Sequence, residues 1–345
     1  VPSRFAERLF GQRAGAWIAR ILLSSLGLSA HPAPTFAQTL SSQCTDPSIV
    51  GSGLQGQDGC QKALDVYHYV NVQLGTLLAG GNAMLRQGGT LGGLGHVALS
   101  LRGNAMQTSV PRGSDIPFSV GPAGPPENIP VQSRVLAVPV IDAGIGVFGG
   151  LGVGLTRMFG VDVLLTGSLF PSITTGQMRI AASGSTVQVG YGLRLGILQE
   201  GEATPGVGVT WLHGSLPTLE MRANHGTDSL IVQDYDLSSD AWRITASKRF
   251  SAVGLAAGIG QDHYHSDARL SYDLAGVQPL GGAYAISTGI TRFTYFGDLS
   301  VSVGPISLIG EIGQVHGGAV TTYNIFSPDP SSSRTYWSLG IRGDI

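Results

Sequence analysis

Residues Thr335–Ile345 read TYWSLGIRGDI, and their alternation decides how the rest of the chain is understood. Thr335, Trp337, Leu339, Ile341, Gly343 and Ile345 fall on one side of an extended strand, while Tyr336, Ser338, Gly340, Arg342 and Asp344 fall on the other. Side chains in a strand repeat with period two, so one face is apolar and the other polar. Such a strand suits a barrel wall, greasy outside and polar inside, and it reads as the closing strand. Trp337, Leu339 and Ile341 are expected to face lipid, and Arg342 to meet a lumen acid such as Asp142 or Glu311. The first strand near Val97–Leu101 and the ninth near Ile306–Ile312 are its expected neighbours.

Composition agrees. Charged residues make up 12% of the 345, against about 25% in ordinary soluble domains. The 52 glycines disfavour long helices, where each costs about 1 kcal/mol relative to alanine, but suit tight turns and crowded lumens. A formal charge of -2 argues for no nucleic-acid partner. After the N-terminus no apolar run is long enough for a helical membrane span.

Residues 1–37 have the pattern of a signal peptide: Arg4, Arg8, Arg13 and Arg20, then the short apolar core Ile21–Ala30, then small residues around Ala37. Cys44 and Cys60 follow, and in an exported chain their simplest fate is a structural disulfide. Between Gln61 and Gln87, Ala63, Val66, Val70 and Leu74 recur at helical spacing, followed by Leu77, Leu78 and Leu85. This helix, interrupted at Gly80-Gly81, belongs under the barrel on the periplasmic side or inside it as a plug. The expected organisation is a signal peptide (1–37), an N-terminal disulfide loop and helix (38–89) and a barrel (90–345).

From Thr90 onward, period-two runs are separated by connections that alternate long and short. The expected strands are about Thr90–Met106, Val135–Thr156, Val161–Phe170, Val187–Ile197, Gly206–Met221, Ser238–Phe250, Val253–Tyr272, Ile286–Val303, Ile306–His316 and the closing strand. Loops Thr108–Ser133, Pro171–Thr186, Arg222–Leu237, Asp273–Ala285 and Gly317–Arg334 are long. Those at Arg157–Gly160, Gln199–Pro205, Ser251-Ala252 and Gly304-Pro305 are short. An all-β, antiparallel up-and-down transmembrane β-barrel of about 10 strands (range 8–12) with an N-terminal helical segment follows. A soluble sandwich does not require this alternation of loop lengths.

On the lipid side a midplane charge costs about 2–4 kcal/mol. The alternation therefore assigns Arg102, Asp142, Asp162, Arg194, Arg243, Arg249, Arg292, Asp298, Glu311 and Arg342 to the lumen. His263, His265 and Asp267 share one face at i, i+2 and i+4, a spacing that admits a metal, although a polar rim is the plainer reading. Asp262-His263 invites comparison with outer-membrane proteases of the omptin type, but these two side chains point to opposite faces. No phosphate loop, zincin histidine pair or nucleophile elbow is present. Neither a catalytic residue nor a cofactor is expected.

From about Thr90 to Ile345, the glycine-rich hairpins and amphipathic final strand resemble outer-membrane β-barrel proteins of Gram-negative bacteria. The N-terminal segment ahead of a barrel is similar to fatty-acid-transporter-like barrels, whose Asn-Pro-Ala motif is absent. The resemblance implies residence in the bacterial outer membrane, with lipid bilayer, lipopolysaccharide and the assembly machinery as partners. Two functions are open: a narrow pore or passive transporter for a small solute, or a structural or surface-interaction barrel with a filled lumen and ligand-binding outer loops; an outer-membrane hydrolase acting at the barrel mouth is a distant third.

Overall fold

The computed structural model describes residues 39–345 except 80, 83–85, 155 and 276–282, so the expected signal peptide and Leu85 lie outside the described residues. Ten long strands form one closed antiparallel wall. In chain order they are β1 (Val97–Pro111), β2 (Val131–Phe148), β3 (Gly160–Leu169), β4 (Val187–Leu198), β5 (Gly206–Ser215), β6 (Asp228–Phe250), β7 (Val253–Asp273), β8 (Tyr284–Val303), β9 (Ile306–His316) and β10 (Arg334–Asp344). Each pairs with the next, and β10 returns to β1 through Leu101↔Ile341 and Gly103↔Leu339. On its other side β10 meets β9, as in Leu308↔Ile341 and Ile312↔Trp337. The expected neighbours of the closing strand are therefore its neighbours, and the wall has no free edge.

Burial follows the alternation. Leu101, Ile141, Leu193, Leu299, Leu339 and Ile341 are exposed on the outside of the wall. Their alternates Ser100, Arg102, Asp142, Arg194, Ser300, Ser338 and Arg342 are buried inside it. Trp211 and Trp242 are register partners and, with Phe293 and Tyr295, ring the long-loop end; Phe148, Phe159 and Phe250 are exposed at the other. Eight residues separate Trp242 from Phe250; at about 3.4 Å per residue and a tilt of about 40° this is a height of roughly 20 Å, close to the ~25 Å apolar band of such barrels.

The wall is uneven. Above the band, β6 continues into a pairing with Leu219–His225, which pairs with Met178–Ala182, and that in turn with Ile173–Thr175. Residues expected to be loops are thus partly strands beyond the membrane, and β5 stops at Ser215 rather than near Met221. β1 begins at Val97, not Thr90, because Gly92, Gly93 and Gly95 take positive φ and break the extended run. β2 ends at Phe148, and a separate small hairpin, Leu151–Val153 with Thr156–Met158, completes the turn.

The helix, α1, spans Gln57–Ala79, four residues earlier than its expected start, and it runs through the lumen. Its first two turns lie among the long loops: Asp58 accepts from the Ser119 N–H at 2.7 Å, and the Lys62 ammonium donates to the Pro117 carbonyl at 2.5 Å. Its later turns pack on β6, β7 and β1. The segment after it reaches the short-turn end, where Thr90 meets Gln199 and Arg86 meets Asp344. The chain therefore descends from the long-loop mouth to the short-turn rim before β1 begins.

Candidate functional site

The feature that distinguishes this barrel is how α1 and the segment after it fill the lumen. At the mouth, the Cys44–Cys60 disulfide ties the incoming chain to the first turn of α1. Tyr69 stacks on Phe326 of the last long loop with ring centroids 4.4 Å apart. Asp65 accepts from the backbone N–H groups of Tyr323 and Asn324 at 3.0 and 2.8 Å and from the Asn324 side chain at 2.8 Å. Burial raises its pKa to about 6 despite those donors. Burial likewise lowers His68 to about 4, against a backbone hydrogen bond with Thr321. Both groups sit level with loop 317–333, above the membrane band.

One turn down, the hydroxyls of Tyr67 and Ser266 lie 2.8 Å apart, the Asn71 amide donates to Ser266 at 2.7 Å, and the Tyr235 hydroxyl donates to Asn71 Oδ1 at 2.8 Å. Gly75 lies against Tyr264; a Cβ there would come within 2.8 Å of the ring. Below Ala79, Asn82 becomes a hub. Its N–H donates to Glu311 at 2.8 Å, its amide to Asp298 at 3.1 Å, and its carbonyl accepts from Arg102 at 3.3 Å. Leu91 N–H then meets both oxygens of Asp162 at 3.1 and 3.2 Å.

Nine of the ten sequence candidates for the lumen are buried within the wall: Arg102, Asp142, Asp162, Arg194, Arg243, Arg292, Asp298, Glu311 and Arg342. Arg102 pairs with Asp142 at 2.8 Å and Arg194 with Asp162 at 2.6 Å. Asp298 and Glu311 face each other across β8 and β9. Arg292 donates to the carbonyls of Val315 and Ser332 at 3.4 and 3.0 Å. Two expectations need correction. Arg249 is exposed at the short-turn rim, because the strict alternation of β6 lapses after Ser247 as the strand enters its turn. Arg342 pairs with Asp344 at 2.6 Å and touches Gln87, rather than meeting Asp142 or Glu311. Its register partners are Ser100 and Ser307, near the rim, whereas Arg102 stands two residues deeper and takes Asp142.

Asp262, paired with Arg243 at 2.5 Å, is absent from the sequence candidates, although the alternation that turns His263 outward turns Asp262 inward. Asn82, Arg86 and Gln199 were hidden because nothing in the sequence says that residues 81–82 and 86–91 lie against the inner face of the wall. His263, His265 and Asp267 stand outside the wall: His263 Nδ1 is 3.0 Å from the Thr291 hydroxyl, and His265 Nε2 is 3.2 Å from Asp267. Among the described residues no group of three or more His, Cys, Asp or Glu is placed to hold a metal.

Between α1 and the β3–β5 wall remains a cavity of about 40 Å³, lined by Leu77, Arg102, Thr166, Gln188, Leu212 and Ser239 among others. At roughly 10–15 Å³ per water on this measure, it holds a few waters.

No family model and no curated protein matches the sequence. Among solved structures the chain is similar to Neisserial surface protein A (13% identity, TM-score 0.28, 72% of this chain and 96% of that one). It is also similar to the outer membrane protease OmpT from Escherichia coli (8%, 0.38, 72% and 96%). A third is the translocator domain of the autotransporter NalP from Neisseria meningitidis (8%, 0.39, 83% and 98%).

Proposed function

Taking the chain as a β-barrel of the bacterial outer membrane, we propose that it is a closed surface barrel. On this reading its own N-terminal segment is a resident plug, and the capped outer mouth is its interaction surface. The observation that carries this is the set of bonds that the described residues of 57–79, 81–82 and 86–91 make at successive levels of the lumen: Asp65 to the last loop, Asn71 to Ser266 and Tyr235, Asn82 to Asp298 and Glu311, Leu91 to Asp162. Each bond is worth about 1 kcal/mol, more where a carboxylate accepts. Expelling the plug would also strand acids that are now hydrogen-bonded inside. The narrow-pore reading needs that expulsion.

Long loops face outward and short turns inward in outer-membrane barrels. With that orientation, the disulfide loop and the start of α1 belong to the cell surface, and residues 86–91 to the periplasmic rim. Two measurements test the proposal. Planar-bilayer recording of the refolded chain should show no steady current; a stable, ion-selective one returns the pore reading for a small solute. A membrane-impermeant maleimide applied to intact cells should label Gly53→Cys, on the cap, and spare Glu202→Cys, in a short turn. The reverse pattern overturns the orientation.

A further inference from the structure

Where the plug meets the short-turn rim there is a second cavity, which a closed barrel has no need of. It is open on one side and has a volume of about 390 Å³, within the ~300–1,000 Å³ of small-molecule sites. Arg86 from the plug, Lys248 and Arg249 from β6, Arg342 and Asp344 from β10 and Glu200 from the turn after β4 all line it.

Its charges do not balance. Asp344 lies 2.5 Å from Arg86 and 2.6 Å from Arg342, so two guanidiniums share one carboxylate. Across the cavity, Glu200 accepts from the Ser247 hydroxyl and the Arg249 backbone N–H, each at 2.8 Å. Among the described residues the Lys248 ammonium donates to main-chain carbonyls, those of Gly201, Glu202 and Thr204, and to no carboxylate. Among the described residues the Arg249 side chain makes no ion pair, and Arg86 Nε is buried without a hydrogen-bond partner. Four cations thus line the cavity against two side-chain carboxylates. A main-chain carboxylate at Ile345, counted as a third acid, leaves the sign positive. Arg86 holds its place at a φ of +80°, a left-handed conformation uncommon for a long side chain.

We propose that this cavity binds a small oxyanion, the carboxylate or phosphate group of a periplasmic solute, between the Arg86–Arg342 side and the Lys248–Arg249 side. Guanidinium forks match both groups in geometry, and the charge-assisted bonds they make are the strong ones. Because one wall of the cavity is plug and the other barrel, the anion also ties residues 86–91 to the rim. Its source is decided by the arm of the experiment that responds.

The test is calorimetric titration of the full refolded chain in uncharged detergent with inorganic phosphate, with succinate and with uncharged succinamide. Phosphate or succinate should bind, more weakly as salt rises, and succinamide should not. Arg249→Glu, at an exposed position, should weaken binding about tenfold or more with an unchanged melting temperature, and Lys248→Gln should weaken it in the same direction. Amide exchange at residues 86–91 should slow when the anion is bound. Absence of binding by both anions, or equal affinity in wild type and Arg249→Glu, overturns the site. A conducting barrel that still binds the anion would sink the closed-barrel reading and leave this one standing.

Discussion

Single residues hold the plug against the wall, and the tightest fit is at Gly75. A methyl group there would stand 2.8 Å from Tyr264, a fully buried ring on β7 with no room to retreat. Overpacking of this kind costs about 1–3 kcal/mol. Gly75→Ala should therefore loosen the plug without opening the wall, seen as faster amide exchange along α1 with unchanged protection of β1 and β10. At the mouth, Asp65 and His68 have opposite pH dependences. Asp65 is raised to about 6 in the folded state from 3.8. The folded form therefore gains its proton first, and stability rises as pH falls from about 6 toward 3.8. His68 is lowered to about 4 from 6.5, so the unfolded form gains its proton first and stability is lost over much the same window. The two nearly offset in the wild type. Asp65→Asn should leave a contact with Tyr323 and Asn324 that weakens steadily from pH 7 to pH 4, and His68→Gln one that strengthens. Amide exchange of those two residues against pH measures both, and identical profiles in all three proteins would contradict the assignment.

Elements were legible in the sequence wherever lipid imposed a rule. Every strand that crosses the membrane band shows the period-two pattern, because one face must be apolar to the full height of the band. Above the band the rule lapses. The stretch from Arg222 to Leu237 contains Asn224, His225 and several aspartates and reads as a loop. It holds the turn and parts of both arms of a hairpin in which Leu219, Met221, Ala223, Leu230 and Val232 are buried. The helix was legible as a helix from Val66, Val70 and Leu74, but its position was not. Inside a polar lumen Lys62, Asp65, Asn71 and Gln73 are as buried as the valines, so its sequence has no solvent face from which to orient it. The disulfide belongs to this element too. It closes a loop of sixteen residues, a size for which cross-linking is worth about 3 kcal/mol, and it lies wholly in the cap. Reduction should make residues 41–60 sensitive to protease on intact cells while the strands stay resistant. A barrel that unfolds on reduction, or a cap that stays resistant, would show that the loop is not an independent unit.

At the scale of the molecule, two solvents dictate the two surfaces of one sheet, and the closing strand carries both demands in eleven residues. Leu339 is 65% exposed midway along the outward face of β10, in a row with Gly103, Gly310 and Leu299. Ser338, the next residue, is buried and accepts no lipid contact; it donates to Asn104 at 2.7 Å. Gln314, on the neighbouring strand, also faces outward but stands beside Tyr295 in the aromatic ring. If lipid is the solvent of this face, the cost of a charge must depend on height. Leu339→Arg should cost about 2–4 kcal/mol and Gln314→Arg about 0–1, measured as unfolding free energies in phospholipid vesicles by denaturant titration. A water-facing sheet would tolerate the two arginines equally, since neither side chain would then leave water. Equal tolerance would remove the membrane from the account and with it the reason for the alternation in Thr335–Ile345. A difference of the expected size would tie that alternation to the bilayer directly.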